Sequence, residues 1–151
     1  MKALRRNELA AILPDHVPAK NFGIFAPFFS QPAYTMTLAH QLIKRTKCKV
    51  IIGLEIRVKQ GFELNYEAPE IAIYDSEGKV SVAALNRLIE KVVNRHISQY
   101  QWGYKRFKRR PEWTTATPYM NPLKGKTVLM LRRFTTAIKP QAFTITFLIN
   151  N

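Results

Sequence analysis

With one cysteine, Cys48, in 151 residues, the chain holds no intramolecular disulfide framework, and this usage suits a reducing compartment. Flanked by Lys47 and Lys49, that thiol reads either as an activated nucleophile or as a small core residue at the head of an apolar strand; the position favours the core. No stretch reaches the roughly 20 apolar residues of a membrane-spanning helix. The first eight residues also lack a signal peptide's apolar run, so the expectation is a chain that spans no membrane. There is no G-x-G-x-x-G, no phosphate-loop motif, no G-x-S-x-G elbow and no Cys/His pair at metal-ligand spacing. Dinucleotide, phosphate-loop, serine-hydrolase and zinc chemistries are thereby set aside, and no cofactor is expected. Acid is scarce too: 10 carboxylate side chains face 24 Lys and Arg, a net charge of +14. Such a surface calls for an anionic counterpart, whether nucleic acid, a membrane face, an acidic carrier protein or a phosphorylated substrate.

At 46% hydrophobic and 11% aromatic, the chain has the length and composition of one folded domain with a core. Its organising stretch runs from Ile12-Leu13-Pro14-Asp15 to Phe28-Phe29 and on to Thr35. A short apolar strand, Leu9–Leu13, places Asp15 at its carboxyl end, where open α/β sheets present groups to ligands. A loop stiffened by Pro14, Pro18, Pro27 and Pro32 follows, carrying Phe22, Phe25, Phe28, Phe29 and Tyr34. Asp15 reads as a turn residue or as a site carboxylate, and the phenylalanines as core or as an apolar pocket. Of the three histidines, His40 sits one step off the apolar face of its helix and His96 on the face of its own, so both read as structural. His16, beside Asp15, has the setting of a site.

Further along, Ala33–Arg45 reads as a helix, and Val50–Leu54 as a strand covered on both faces. Gln60-Gly61 turns that strand into an alternating edge strand, Phe62–Tyr66, giving a hairpin within a mixed sheet. Asp75–Gly78 is a turn. From Ser81, the expected N-cap, a long amphipathic helix extends to Tyr100, with Asn86, Arg87 and Glu90 among its outward residues. Trp102, Tyr104 and Phe107 then interleave with Lys105, Arg106, Lys108, Arg109 and Arg110. Residues 112–151 differ in character and form an appendage; within it Phe143–Ile149 alternates like a strand with no sequence neighbour to pair with. The fold class is therefore α/β, a mixed sheet flanked by helices.

Three blocks, Ile12-Leu13-Pro14-Asp15-His16, Phe25-Ala26-Pro27-Phe28-Phe29 with Ala33 and Thr35, and Gln99–Trp102 with Arg106–Pro111, resemble in order and spacing the C-terminal part of the bacterial lipid A late acyltransferases. The resemblance covers residues 3–111 and implies part of a glycerol-phosphate-acyltransferase-like fold at the cytoplasmic face of the inner membrane. It implies transfer of a fatty acyl chain from acyl carrier protein thioester to a hydroxyl of a lipid A precursor. In that family a His of an H-x-x-x-x-D/E motif is the general base, and the Asp of an L/A-P-D motif, here Asp15, completes the site. His16, Phe28, Phe29, Arg106 and Lys108 are the residues this reading gives to the substrate. The departure is the base: five residues after His16, His40 and His96 stand Asn21, Arg45 and Gln101, so the motif is absent. The expectation is an inactive piece. Residues 112–151 do not resemble the family's ending, which suggests a foreign or frame-shifted tail.

Two readings from other classes stand beside this one. The aromatic and cationic run Tyr104–Arg110 could stack bases and neutralise phosphates as a nucleic-acid-binding module, although no recognisable motif supports it. The same run could instead dock an acidic carrier protein or a membrane enzyme without catalysis.

Overall fold

The computed structural model describes residues 2–114, 119 and 144–150, the last stretch as backbone. In chain order these form α1 (Lys2–Arg5), β1 (Ala10–Ile12), β2 (Gly23–Phe28), β3 (Gln31–Met36), α2 (Leu38–Thr46), β4 (Lys49–Val58), β5 (Gly61–Glu67), a 3-10 turn at Ile71–Tyr74, α3 (Gly78–Arg95) and β6 (Thr144–Asn150). They build an α/β arrangement of a four-stranded sheet, ordered β1-β6-β4-β5, and a separate hairpin, β2-β3. The expected β4–β5 hairpin is present, with Val58 opposite Gly61. The expected mixed sheet is not. Every pairing among the described residues is antiparallel, because β6 lies between β1 and β4 and turns what would be one parallel neighbour pair into two antiparallel ladders. The strand expected to lack a partner thus has two; the rest of the expected appendage, apart from residues 112–114 and 119, lies outside the described residues.

The proline-stiffened loop is also corrected, since most of it is a regular hairpin. Phe28 opposes Gln31 across the turn, so the next pair, Pro27 opposite Pro32, occupies a non-hydrogen-bonded position. The N–H groups that proline lacks would have pointed away from the partner strand, toward the hairpin's outer edges, so both prolines fit without cost to the ladder. The two turn residues, Phe29 (φ 47°) and Ser30 (φ 59°), have the positive φ of a type I′ turn, a place usually held by Asn and Gly. Because β3 runs to Met36, the helix expected from Ala33 starts only at Leu38. It stops where Lys47 (φ 56°) takes a left-handed conformation and donates its N–H to Ile43 O at 2.8 Å.

α3 is the central support. Ala84, Leu85, Leu88, Ile89, Val92 and Val93 are buried with Val50, Ile52, Leu54 and Ile56 of β4 in a single core. Asn86, expected on the outer face, is fully buried, as its spacing of four from Val82 and three from Ile89 requires. Ser81 is not the N-cap but lies in the first turn, donating its hydroxyl to Ile73 O at 2.7 Å, while Glu77 holds the cap position. The helix ends at Arg95, five residues short of the expected Tyr100, because His96 (φ −131°, ψ 41°) leaves helical geometry. The chain then proceeds in turns, such as Tyr104 N–H to Gln101 O at 3.0 Å. Within this segment the Gln99 amide accepts from Arg57 N–H (2.8 Å) and donates to Arg57 O (3.0 Å), standing in for a strand where the β6 pairing ends at Glu55.

The run Val50–Leu54 is not covered on both faces. Val50, Ile52, Leu54 and Ile56 point into the core while Ile51 and Arg57 are exposed, the signature of a sheet with one covered face. Cys48 is a buried core residue, as expected. The hairpin turn yields a prediction: Ser30→Gly relieves a left-handed non-glycine residue and should raise stability by about 1 kcal/mol in thermal or urea unfolding.

Candidate functional site

Asp15 follows β1 in a turn anchored by His16 N–H to Leu13 O (3.4 Å) and by buried Pro14. The next residue ties this turn to the far end of the chain: Val17 N–H donates to the Tyr104 hydroxyl at 2.8 Å, and the His16 ring stacks on the Tyr104 ring at 5.1 Å. Asp15 is largely removed from water, and burial pushes its carboxyl above the ordinary value of 3.8 against the opposing charges of His16 and Arg106. Burial likewise raises the Tyr100 phenol, with Asp15 adding to the rise, so that side chain is neutral at ordinary pH. Asp15, Tyr100 and Arg106 therefore form one electrostatic cluster.

Arg106 is 3% exposed. Its guanidinium donates to Tyr34 O (2.8 Å), Thr35 Oγ1 (2.7 Å) and Asn86 Oδ1 (3.4 Å), and its face lies 5.4 Å from the Phe28 ring centre. Asn86 completes the network by donating Nδ2 to Pro27 O at 2.8 Å. Burial lowers the Arg106 pKa, while Tyr100 and Asp15 oppose that shift; a guanidinium remains charged throughout the working range. Among the described residues no carboxylate lies within ion-pairing distance of it, and its Nε has no hydrogen-bond partner. A buried cation held only by neutral oxygens keeps a field that reaches the neighbouring carboxylate.

The residues singled out from sequence converge on this region. Phe28 is buried beneath Arg106, its ring beside those of Phe29 (4.8 Å) and Phe107 (6.0 Å). Half-buried Phe29 also meets Trp102 at 6.0 Å. Lys108 is exposed, its ammonium 5.5 Å from the Tyr104 ring centre. Arg109 lies over Tyr34 at 5.4 Å. The basic, aromatic run that follows α3 is thus a chain of turns whose rings meet other rings of the protein. Thr35 was noticed only through a motif, and Asn86, Tyr34 and Glu90 were missed. Asn86 was detectable as a polar residue at stripe spacing inside an apolar face; Glu90 Oε1, which accepts Phe29 N–H at 2.9 Å, left no local signal.

An open cleft of about 530 Å³ lies elsewhere, bordered by Glu63, Asn65, Glu67, Lys91 and Arg95. Glu67 pairs there with both Lys91 and Arg95, which engages the two cations of the cleft. Among the described residues there is no cluster of His, Cys, Asp and Glu able to hold a metal ion, and no helix long and apolar enough to cross a membrane.

The family model for bacterial lipid A biosynthesis acyltransferases matches residues 1–109. The chain belongs to this family. It is 33% identical over 124 residues to the lipid A biosynthesis acyltransferase of Haemophilus influenzae, covering 79% of this chain and 40% of that protein. It is 27% identical over 115 residues to the Escherichia coli lipid A biosynthesis lauroyltransferase, covering 74% and 38%, and 29% identical over 112 residues to the palmitoleoyltransferase of the same organism, covering 72% and 36%. The chain therefore spans about 40% of the length of the relatives it matches. All the residues of the Asp15–Arg106 cluster fall within the family match.

Two outcomes follow from the cluster. A carboxyl whose pKa is raised in the folded state adds stability below its unfolded value, and that stability is lost as pH rises through the folded value. Asp15→Asn should therefore flatten the pH dependence of the melting temperature and raise it at neutral pH. Asn86→Leu removes one acceptor from the Arg106 guanidinium and the donor to the Pro27 carbonyl, and chemical unfolding should show a loss of about 2 kcal/mol or more.

Proposed function

We propose that this chain supplies one side of an acyltransferase site that moves a fatty acyl group from acyl carrier protein thioester to a hydroxyl of a lipid A precursor. The observation that carries the reading is the desolvated Asp15 carboxylate, set against a buried, unpaired Arg106 beneath an aromatic wall, all within the family match. In the reaction the hydroxyl oxygen attacks the thioester carbonyl, its proton passes to a general base, the C–S bond breaks and the carrier thiol leaves protonated. The sequence here contains no H-x-x-x-x-D/E motif, so that base is supplied by other residues and the isolated chain is inactive.

In this reading Asp15 and His16 contribute the polar end of the site. Phe29 borders the acyl chain, and exposed Lys108 meets the phosphorylated substrate. Phe28 and Arg106, being buried, act from behind by fixing the wall and the field around Asp15. This reading takes the α/β arrangement as part of a glycerol-phosphate-acyltransferase-like fold. The basic surface suits the acidic carrier and a peripheral position on the cytoplasmic face of the inner membrane. The nucleic-acid alternative draws no specific support: Tyr104 and Phe107 are engaged by His16 and Phe28, and half-exposed Trp102 already meets Phe29 and Tyr100.

The test is a chimera in which residues 1–109 replace the corresponding stretch of the Haemophilus influenzae relative. It should transfer acyl groups from acyl carrier protein, and Asp15→Asn should cut kcat by about 10²-fold or more, although the same change stabilises the fold. Turnover by the isolated 151-residue chain, or a chimera indifferent to Asp15→Asn, would overturn the reading.

A further inference from the structure

The antiparallel register places Phe62 opposite Arg57, Leu64 opposite Glu55 and Tyr66 opposite Gly53, so these side chains share the face of the sheet that α3 does not cover. Phe62 is 49% exposed, Leu64 62% and Tyr66 56%, and Ile51 of β4 is exposed on the same face. At the other end of the sheet Leu9 and Leu13 flank β1 in the same alternation, and both are exposed. Six large apolar side chains thus lie across one sheet face, while the opposite face carries the core. A sheet with apolar residues on both faces is stable when both are covered.

We infer that this face is an interface, and that its occupant is the polypeptide equivalent to the part of the acyltransferase relatives that this chain does not match. The matched stretch is 40% of the Haemophilus influenzae relative, so the larger part of that protein lies outside the match and is the polypeptide available to cover such a face. A second copy of this chain is disfavoured, since each carries a net charge of +14 and stacking two brings like charges together. The inference rests on family membership and on the exposed face, and it deepens the acyltransferase reading without depending on turnover.

The experiment is co-expression of the tagged 151-residue chain with the unmatched portion of the Haemophilus influenzae relative, followed by affinity purification and sedimentation. A one-to-one complex is expected. Leu64→Glu should lower recovery of the partner at least tenfold, whereas Lys44→Glu on α2 should leave it unchanged. Both positions are exposed, and matching melting temperatures of the variants separate loss of docking from loss of folding. Absence of a complex, or a complex indifferent to Leu64→Glu, overturns the inference. So does a homodimer of the chain alone that Leu64→Glu dissociates, or Leu64-dependent binding to phosphatidylglycerol vesicles without the partner. A complex that forms but transfers no acyl group counts against the functional reading alone.

Discussion

A single positive charge, buried among neutral oxygens, holds the parts of this molecule in register. Arg106 comes from the turn-rich segment after α3, Tyr34 and Thr35 from β3, and Asn86 from the middle of α3. Desolvating a guanidinium is expensive, and the cost is tolerable only while every acceptor stays in place. The hairpin, the central helix and the closing segment are therefore coupled: displacing any one leaves the cation without its acceptors. Placing Asp15 within reach of that field links the same constraint to the candidate site.

α3 grips the hairpin a second time, one helical turn further on. Asn86 holds the backbone at Pro27, and Glu90, four residues later, takes the N–H of Phe29. Two acceptor and donor groups on one helical edge thus fix both the body and the tip of the hairpin. The left-handed conformation of Phe29 directs its ring between Phe28 and Trp102, so the unusual turn geometry and the aromatic wall are one feature.

Local pattern in the sequence was enough to find α3 and the β4–β5 hairpin, while Asp15, His16, Phe28, Phe29, Arg106 and Lys108 are candidates drawn from position and from the family resemblance. It was not enough for features decided at a distance. Four prolines suggested a loop because proline is scarce in sheets, yet a two-stranded ladder has outward positions where proline costs nothing. The apolar run in β4 suggested two covered faces, since hydrophobicity alone does not say whether a cover is present. Asn86 was assigned to water for its chemistry although its spacing placed it inside. The strand at residues 144–150 finds partners more than 85 positions away, and no local signal specifies β6 between β1 and β4.

The paired prolines of the hairpin carry one more consequence. Each strand lacks one amide hydrogen on its free margin, at Pro27 or at Pro32, which interrupts the row of donors that another chain would pair with. The hairpin that carries the aromatic wall beside Asp15 is thereby a poorer partner for strand exchange. Self-assembly by backbone pairing, if this chain is pushed toward it, starts more readily at the margins of the four-stranded sheet, where β5 is far in sequence from Asp15 but β1 ends only three residues before it.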